Sequence, residues 1–163
     1  MKVSIIMGSD SDWPILKHAY ELLKKFDIEA EVIVASAHRT PDRVRELVAT
    51  APERGVCAFI SAAGAAAHLG GVIASYTTLP VIGVPINATA LNGMDALLST
   101  VQMPSGIPVA TMAINGAKNA AIFVIEMFAI SDGALAARLK DFRQNMAEEV
   151  QKKAARVEQQ LAQ

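Results

Sequence analysis

Three short segments of this 163-residue chain gather side chains able to hold an anion, meet a sugar or move a proton. The first, Gly8-Ser9-Asp10-Ser11-Asp12, supplies a glycine for close backbone approach, two hydroxyls and the exposed N–H groups of a helix start, the makings of a phosphate cradle. It is neither G-x-G-x-x-G nor a Walker A loop, because no Lys-Ser/Thr pair follows. A carboxylate at Asp12 would repel phosphate, yet it can accept two hydrogen bonds from vicinal ribose hydroxyls; it is equally well placed as a simple helix N-cap. The second segment, Ser36-Ala37-His38-Arg39, adds a hydroxyl, an imidazole and a guanidinium. The fork of Arg39 suits bidentate phosphate recognition, and an imidazole is the side chain best suited to exchanging protons near neutral pH. The competing readings are an exposed histidine and an arginine packed on a helix end.

The third segment, Ala62-Ala63-Gly64-Ala65-Ala66-Ala67-His68, is almost free of side chains, so a flat ligand can lie against its backbone N–H and C=O groups. Tight packing of a helix on a strand would explain the same small residues. His68 is a second acid/base candidate or a satisfied, half-buried histidine, and the reading leans to the latter. His18 reads as a surface residue, and Cys57, the lone cysteine, as an inert core thiol. The three histidines show no H-x-x-x-H spacing and no C-x-x-C accompanies them, so no metal site is expected. Ser9, Ser11 and Ser36 lack a companion motif such as G-x-S-x-G. These residues describe a cofactor-free enzyme acting on a small phosphorylated, ribose-bearing substrate, with His38 as acid/base. A flavodoxin-like binding or regulatory module without chemistry competes with it.

The elements that must position these segments alternate along the chain. Short apolar runs at Lys2–Met7, Ala30–Ala35, Val56–Ser61, Pro80–Pro85 and Val109–Ile114 read as strands. Between them lie helical patterns. Asp12 and Pro14 open the first, with Ile15, Ala19, Leu22, Leu23 and Phe26 on one face; Thr40-Pro41 opens the second, with Val44, Leu47 and Val48 as its stripe. Further helices are expected after His68 to about Tyr76, from about Leu91 to Val101, and from Gly116 to about Ile130. Near-continuous apolar strands alternating with helices predict a parallel sheet covered on both faces, a three-layer α/β/α sandwich of flavodoxin-like type. Ligands then bind outside the carboxyl ends of the strands, where all three segments fall. From Gly133 to the end no further Gly or Pro occurs, and Leu135, Leu139, Phe142, Met146, Val150, Val157 and Leu161 mark one stripe. This predicts a long C-terminal helix over 133–163, reaching onto a neighbouring subunit from a single domain spanning 1–163; a frayed polar tail after about residue 147 is the competing reading.

Charge is distributed unevenly. Seventeen of the 31 charged residues precede Gly55 and 13 lie from Lys118 onward, leaving Asp95 alone between Gly55 and Ala117. Glycines and prolines interrupt every window long enough to span a membrane, so the uncharged stretch is expected to be buried chain in a soluble, cytoplasmic protein. A net charge of -1 gives no footprint for nucleic acid or an anionic membrane.

In order along the chain, Met7-Gly8-Ser9-Asp10-Ser11-Asp12-Trp13, Ser36-Ala37-His38-Arg39-Thr40-Pro41, Ala66-Ala67-His68-Leu69, Val81-Ile82-Gly83-Val84-Pro85 and Ser99-Thr100-Val101-Gln102-Met103-Pro104-Ser105-Gly106-Ile107-Pro108-Val109 resemble the N5-carboxyaminoimidazole ribonucleotide mutases, the bacterial PurE family. The resemblance covers about residues 3–130. It implies reversible conversion of N5-carboxyaminoimidazole ribonucleotide to 4-carboxyaminoimidazole ribonucleotide in de novo purine synthesis, without metal, nucleotide cofactor or ATP. It also implies a homo-octamer whose C-terminal helix reaches over a neighbour. Position by position, Ser9, Ser11, Ser36 and Arg39 match phosphate-binding residues, Asp12 a ribose-binding one and His38 the general acid/base. Ala63, Gly64, Ala66, His68 and Leu69 match the turn lining the base and CO2 pocket. The sister activity, carboxylation of aminoimidazole ribonucleotide with free CO2, is the nearest alternative. The family's usual G-A-G-G-A-A-H-L-P-G is altered here, Ala62 and Ala65 replacing glycines and Gly70 a proline. Ile114–Asn119 is about two residues shorter than the usual A-I-G-x-x-G-A-x-N.

Overall fold

Five strands pair side by side, all parallel, in the order β2-β1-β3-β4-β5. They are β1 (Lys2–Met7), β2 (Glu29–Val34), β3 (Val56–Gly64), β4 (Val81–Ile86) and β5 (Ala110–Thr111). Among the described residues six α-helices connect and follow them: α1 (Trp13–Lys25), α2 (Pro41–Ala49), α3 (Leu69–Tyr76), α4 (Met94–Val101), α5 (Ala117–Ala129) and α6 (Gly133–Leu161). This computed structural model describes residues 1–161. The predicted three-layer α/β/α arrangement is the one observed. Right-handed crossovers that run one way from β1 to β2 and the other way from β2 to β3, β4 and β5 place α1 on one face and α2, α3 and α4 on the other.

The inner strands β1, β3 and β4 are as apolar as their double burial requires, whereas the edge strand β2 has no buried residue. Val3, Ile5, Ile6 and Met7 of β1 and Ala58, Phe59 and Ile60 of β3 are buried, and so is every residue of β4. On the α2–α3 face, Ile6, Phe59 and Val81 pack with Val44, Val48, Leu69 and Ile73 in one cluster. In α1 the buried residues are Leu16, Ala19 and Leu23, followed by Phe26. The helix is therefore rotated slightly from the expected stripe, leaving Ile15 only partly buried. Cys57 is partly exposed as well, not a core thiol.

β2 and β4 are each displaced by one residue from expectation, and two strands differ by more, each for a backbone reason. β3 runs on to Gly64 because its last residues still pair with β4, Ala63 opposite Pro85 and Gly64 opposite Ile86. The small-residue turn is correspondingly shorter. β5 is cut to two residues, paired Ile82 to Ala110 and Gly83 to Thr111. The carbonyl of Pro85 accepts the Asn115 N–H at 2.8 Å, so that residue faces β5, and the pyrrolidine ring removes the donor that would extend the ladder there.

The chain forms two compact units, Met1–Val124 and Ile125 onward, with the boundary inside α5. In the second unit Asp132 Oδ1 accepts the Leu135 N–H at 3.0 Å at the start of α6, and Arg143 pairs with Glu126. At 1.5 Å per residue the 29-residue α6 is about 43 Å long. Leu135 and Leu139 are buried, whereas Met146, Val150, Val157 and Leu161 are exposed. The last two residues of the expected helix lie outside the described residues.

Gly83 decides how closely α4 approaches the sheet. A Cβ at that position would fall 2.5 Å from Thr100 Cγ2 and 2.9 Å from Val109 Cγ1, and all of β4 is buried. Gly83→Ala is expected to destabilise the protein by about 1–3 kcal/mol, the usual cost of overpacking a core. Urea denaturation followed by circular dichroism measures this, and an unchanged midpoint would refute the packing argument.

Candidate active site

The carboxyl ends of β1, β2 and β3 bring the three chemistry-bearing loops together. Pairing continues one residue past the strands: Ala35 N–H donates to Met7 O at 2.9 Å, and Gly8 N–H to Ala62 O at 3.0 Å. The loops leave the sheet side by side, at the place where strand order reverses about β1. They enclose a cavity of about 350 Å³ lined by every site residue named from the sequence. A larger hollow of about 900 Å³, between Val48, Tyr76, Pro80 and Ile107, lies around the start of β4 and away from these loops.

The first wall is built by Ser9, Ser11 and Asp12. Ser9 Oγ accepts the Ser11 N–H at 3.3 Å and the Ser11 hydroxyl at 2.9 Å, while Asp12 Oδ2 accepts the Ser9 N–H at 3.2 Å. This reciprocal capping box closes the single 3₁₀ turn Asp10–Asp12. Asp12 therefore caps backward, onto Ser9, and makes no side-chain bond to the first turn of α1. Its carboxyl is buried, and burial pushes it above the ordinary aspartate range, against the pull of the Ser9 N–H and the Ser11 hydroxyl.

The second wall is Ser36, His38 and Arg39. Thr40 Oγ1 accepts the Ser36 N–H at 2.9 Å and donates to the Ser36 carbonyl at 3.0 Å, closing the turn on itself in place of the expected cap on α2. Ser36 Oγ accepts the Arg39 N–H at 3.2 Å and its Nε–H at 3.4 Å, and Arg39 Nη2 donates to the Gly8 carbonyl at 3.0 Å. The guanidinium thus lies beside the serine cradle, an arrangement matched to a phosphate dianion.

The third wall is mostly backbone, with Ala63, Gly64, Ala66 and Leu69 on the cavity. A Cβ on Gly64 would fall 2.5 Å from the Cβ of Ala88, so only glycine fits. Ala88, from the loop after β4, is the lining residue missed in the sequence; that loop also follows a strand end, which was the available signal. Ala65 has φ +53°, a left-handed conformation costing a residue with a Cβ about 1–2 kcal/mol. The other substituted glycine position, Ala62, is in regular strand and free of that strain. At Gly70 a Cβ would approach Ser61 Oγ at 2.8 Å, so that substitution goes with close packing of α3 on β3. The shortened segment keeps its hold on the site, because Asn115 Oδ1 accepts the Asn87 N–H at 3.0 Å beside Ala88.

Across the cavity the two histidines meet. His38 Nε2 and His68 Nδ1 are 2.8 Å apart, with the rings edge-to-face at 87°. One of these nitrogens carries the proton and the other accepts it, so the tautomers of the two rings are tied together. His68 is exposed, not half-buried as expected, and its ring is satisfied by His38. Among the described residues no group of three or more His, Cys, Asp or Glu is placed to hold a metal ion.

The family model described as AIR carboxylase matches residues 2–149. The chain belongs to the AIR carboxylase family. Similar relatives include the N5-carboxyaminoimidazole ribonucleotide mutase of Thermotoga maritima, 52% identical over 158 residues, covering 97% of this chain and 92% of that one. The protein of the same name from Pyrococcus abyssi is 54% identical over 145 residues, covering 89% and 83%. The crystal structure of Treponema denticola PurE superposes with a TM-score of 0.83 at 27% identity, covering 93% of this chain and 94% of that one. This AIR carboxylase family member thus has its most distinctive side chains, three serines, a buried aspartate, an arginine and a histidine pair, on one cavity.

The buried Asp12 gives this site a signature in stability. A carboxyl raised in the folded state binds protons more tightly there than in the unfolded chain. Its contribution therefore falls as pH rises from the unfolded pKa through the folded one. Asp12→Asn is expected to melt at a higher temperature than the parent at pH 7, with the difference shrinking below the ordinary aspartate range. Thermal melts at several pH values check this; a lower melting temperature at pH 7 would show that the charge is stabilising.

Proposed function

We propose that the protein is an N5-carboxyaminoimidazole ribonucleotide mutase of purine (IMP) biosynthesis, with His38 as general acid and base. The observation that carries the reading is the His38–His68 pair, facing a serine–arginine cradle in a chain about half identical to relatives of that name. Ser9, Ser11, Ser36 and Arg39 hold the phosphate, Asp12 accepts from the ribose hydroxyls, and the imidazole ring lies against Ala63, Gly64 and Ala66. The carbamate C–N5 bond breaks to release CO2, with the electron pair returning to N5, which takes up a proton. C4 then attacks the retained CO2 and loses its own proton. The net proton movement is from C4 to N5, and a single group giving and taking it suffices. Keeping CO2 within the cavity makes its recapture a proximity-assisted step. The overall change is an isomerisation, so the scheme involves no cofactor.

A second reading, carboxylation of aminoimidazole ribonucleotide with free CO2, is kept open by the description of the family model itself. Assay of the purified protein with each ribonucleotide separates the two. Turnover of N5-carboxyaminoimidazole ribonucleotide without dependence on bicarbonate is expected, and a requirement for bicarbonate would replace the mutase reading. His38→Asn is expected to lower kcat by about 10²–10⁴-fold, the usual worth of a positioned acid/base. Activity unchanged in that variant would remove His38 from the proton transfer, and binding without turnover of either ribonucleotide would leave only a binding module.

We also infer a cytoplasmic homo-oligomer, an octamer, with α6 lying on a neighbouring copy. Its partners are the ribonucleotide and other copies of itself, not nucleic acid or membrane. Support comes from the exposed apolar stripe Met146, Val150, Val157 and Leu161 on α6 and from Met94, Leu98 and Val101 along α4, with Leu91 in the loop before it, also exposed. No described helix is long and apolar enough to cross a membrane. Deleting the residues after Phe142 is expected to lower the assembly mass in analytical ultracentrifugation; an unchanged mass would remove α6 from the interface.

A further inference from the structure

Ser99 lies on α4, behind the third loop, and does not line the substrate cavity. Its Oγ is 2.8 Å from the Asp95 carbonyl one turn back, with the Ala96 and Ala65 carbonyls at 3.2 and 3.4 Å. The hydroxyl has one proton to donate, and the Asp95 carbonyl is its nearest acceptor. Its lone pairs then accept the N–H of Ala67 at 2.9 Å. Ala67 is buried, so this bond satisfies a donor that water does not reach readily.

That N–H belongs to a loop with little else to fix it. Ala65 is left-handed at φ +53°, and the His68 N–H turns back onto the Ala66 carbonyl at 2.8 Å in a three-residue turn. The next feature along the chain is the His68 ring, with its Nδ1 2.8 Å from His38 Nε2. The ring's place on His38 therefore depends on a backbone conformation that is strained at Ala65 and anchored at Ala67.

We propose that Ser99 is a positioning residue: by accepting the Ala67 N–H it holds the loop in the conformation that keeps His68 on His38. The proposal rests on His38 being the proton carrier of the mutase reading. Misalignment of this kind slows the chemical step while leaving the phosphate and ribose contacts of the first two loops intact.

Thr and Val test this at position 99, since they share shape and differ in the hydroxyl. A hollow of about 460 Å³ beside Ser99, bounded by Val72, Leu98 and Met103, has room for the added methyl. Ser99→Thr is expected to retain kcat within about threefold, and Ser99→Val to lose about 10–100-fold in kcat with KM nearly unchanged, the scale of a small misplacement of a catalytic group. Equal kcat in the two variants, whether both high or both low, would overturn the proposal, as would a loss confined to KM. Two readouts are independent of turnover. In the parent protein the Ala67 amide is expected to be protected from hydrogen exchange, and the imidazole NMR resonances of His38 and His68 to be kept in the Thr variant and displaced in the Val variant. An Ala67 amide exchanging like an open loop refutes the anchor even if the Val variant fails to fold. If the parent protein does not turn over the ribonucleotide, the mutase reading fails, while amide protection and ring resonances still decide whether Ser99 positions His68.

Discussion

The site depends on the continuation of main-chain pairing beyond the ends of three neighbouring strands. Ala35 bonds Met7 and Gly8 bonds Ala62, so the β1, β2 and β3 loops start from a common rigid edge. Arg39 then ties the second loop to the first through the Gly8 carbonyl. A cavity wall shared between two loops requires this, because neither loop alone provides both the serine hydroxyls at Ser9 and Ser11 and a guanidinium. The histidine pair extends the same logic to the third loop. A hydrogen bond of 2.8 Å between side chains 30 residues apart forms only if both loops are held to within a few tenths of an ångström.

The third loop is rigid for different reasons. It has few side chains to pack, and its backbone must pass close to Ala88, which excludes any Cβ at Gly64. Such a wall offers backbone N–H and C=O groups to the cavity without filling its space. Ala65 shows the tension in this arrangement. The left-handed conformation suited to glycine is kept although the residue has a Cβ. The conformation therefore comes from the surroundings and not from the local preference of residue 65, and the anchored Ala67 N–H is part of those surroundings.

This division explains what could be read from the sequence. The alternation of apolar runs and helical stripes gave the parallel sheet, and the rule that ligands sit at strand ends picked out Ser9, Asp12, His38, Arg39 and His68 together. Their mutual contacts were not legible, because the distance from His38 to His68 depends on strand register and loop path, which no local pattern encodes. Asp12 capping Ser9, and Thr40 closing on Ser36, were likewise hidden. A capping residue type predicts that a nearby N–H will be satisfied, but not which one. Ala88 and Ser99 were missed because an alanine and a helical serine carry no chemical signal of their own. Pro85 was visible in the sequence, yet its effect on β5 required knowing which side of β4 it faces.

The long uncharged stretch becomes intelligible on the same terms. Its strands β3 and β4 are largely buried, but α4 and the loop before it leave Leu91, Met94, Leu98 and Val101 open, so burial within one chain does not account for all the missing charge. Its single charged residue, Asp95, takes no part in lining the cavity. Asp95 Oδ2 accepts the Thr89 hydroxyl at 2.8 Å, and Thr89 Oγ1 in turn accepts the Leu91 N–H, which fixes the turn that follows Ala88. One turn further along α4, the Asp95 carbonyl receives the Ser99 hydroxyl that anchors Ala67. The same helix therefore braces two walls of the cavity from outside, one through a carboxylate and one through a hydroxyl. Keeping these polar groups behind the wall lets the surface facing the cavity remain small and apolar, where a charged side chain would bring its hydration inside.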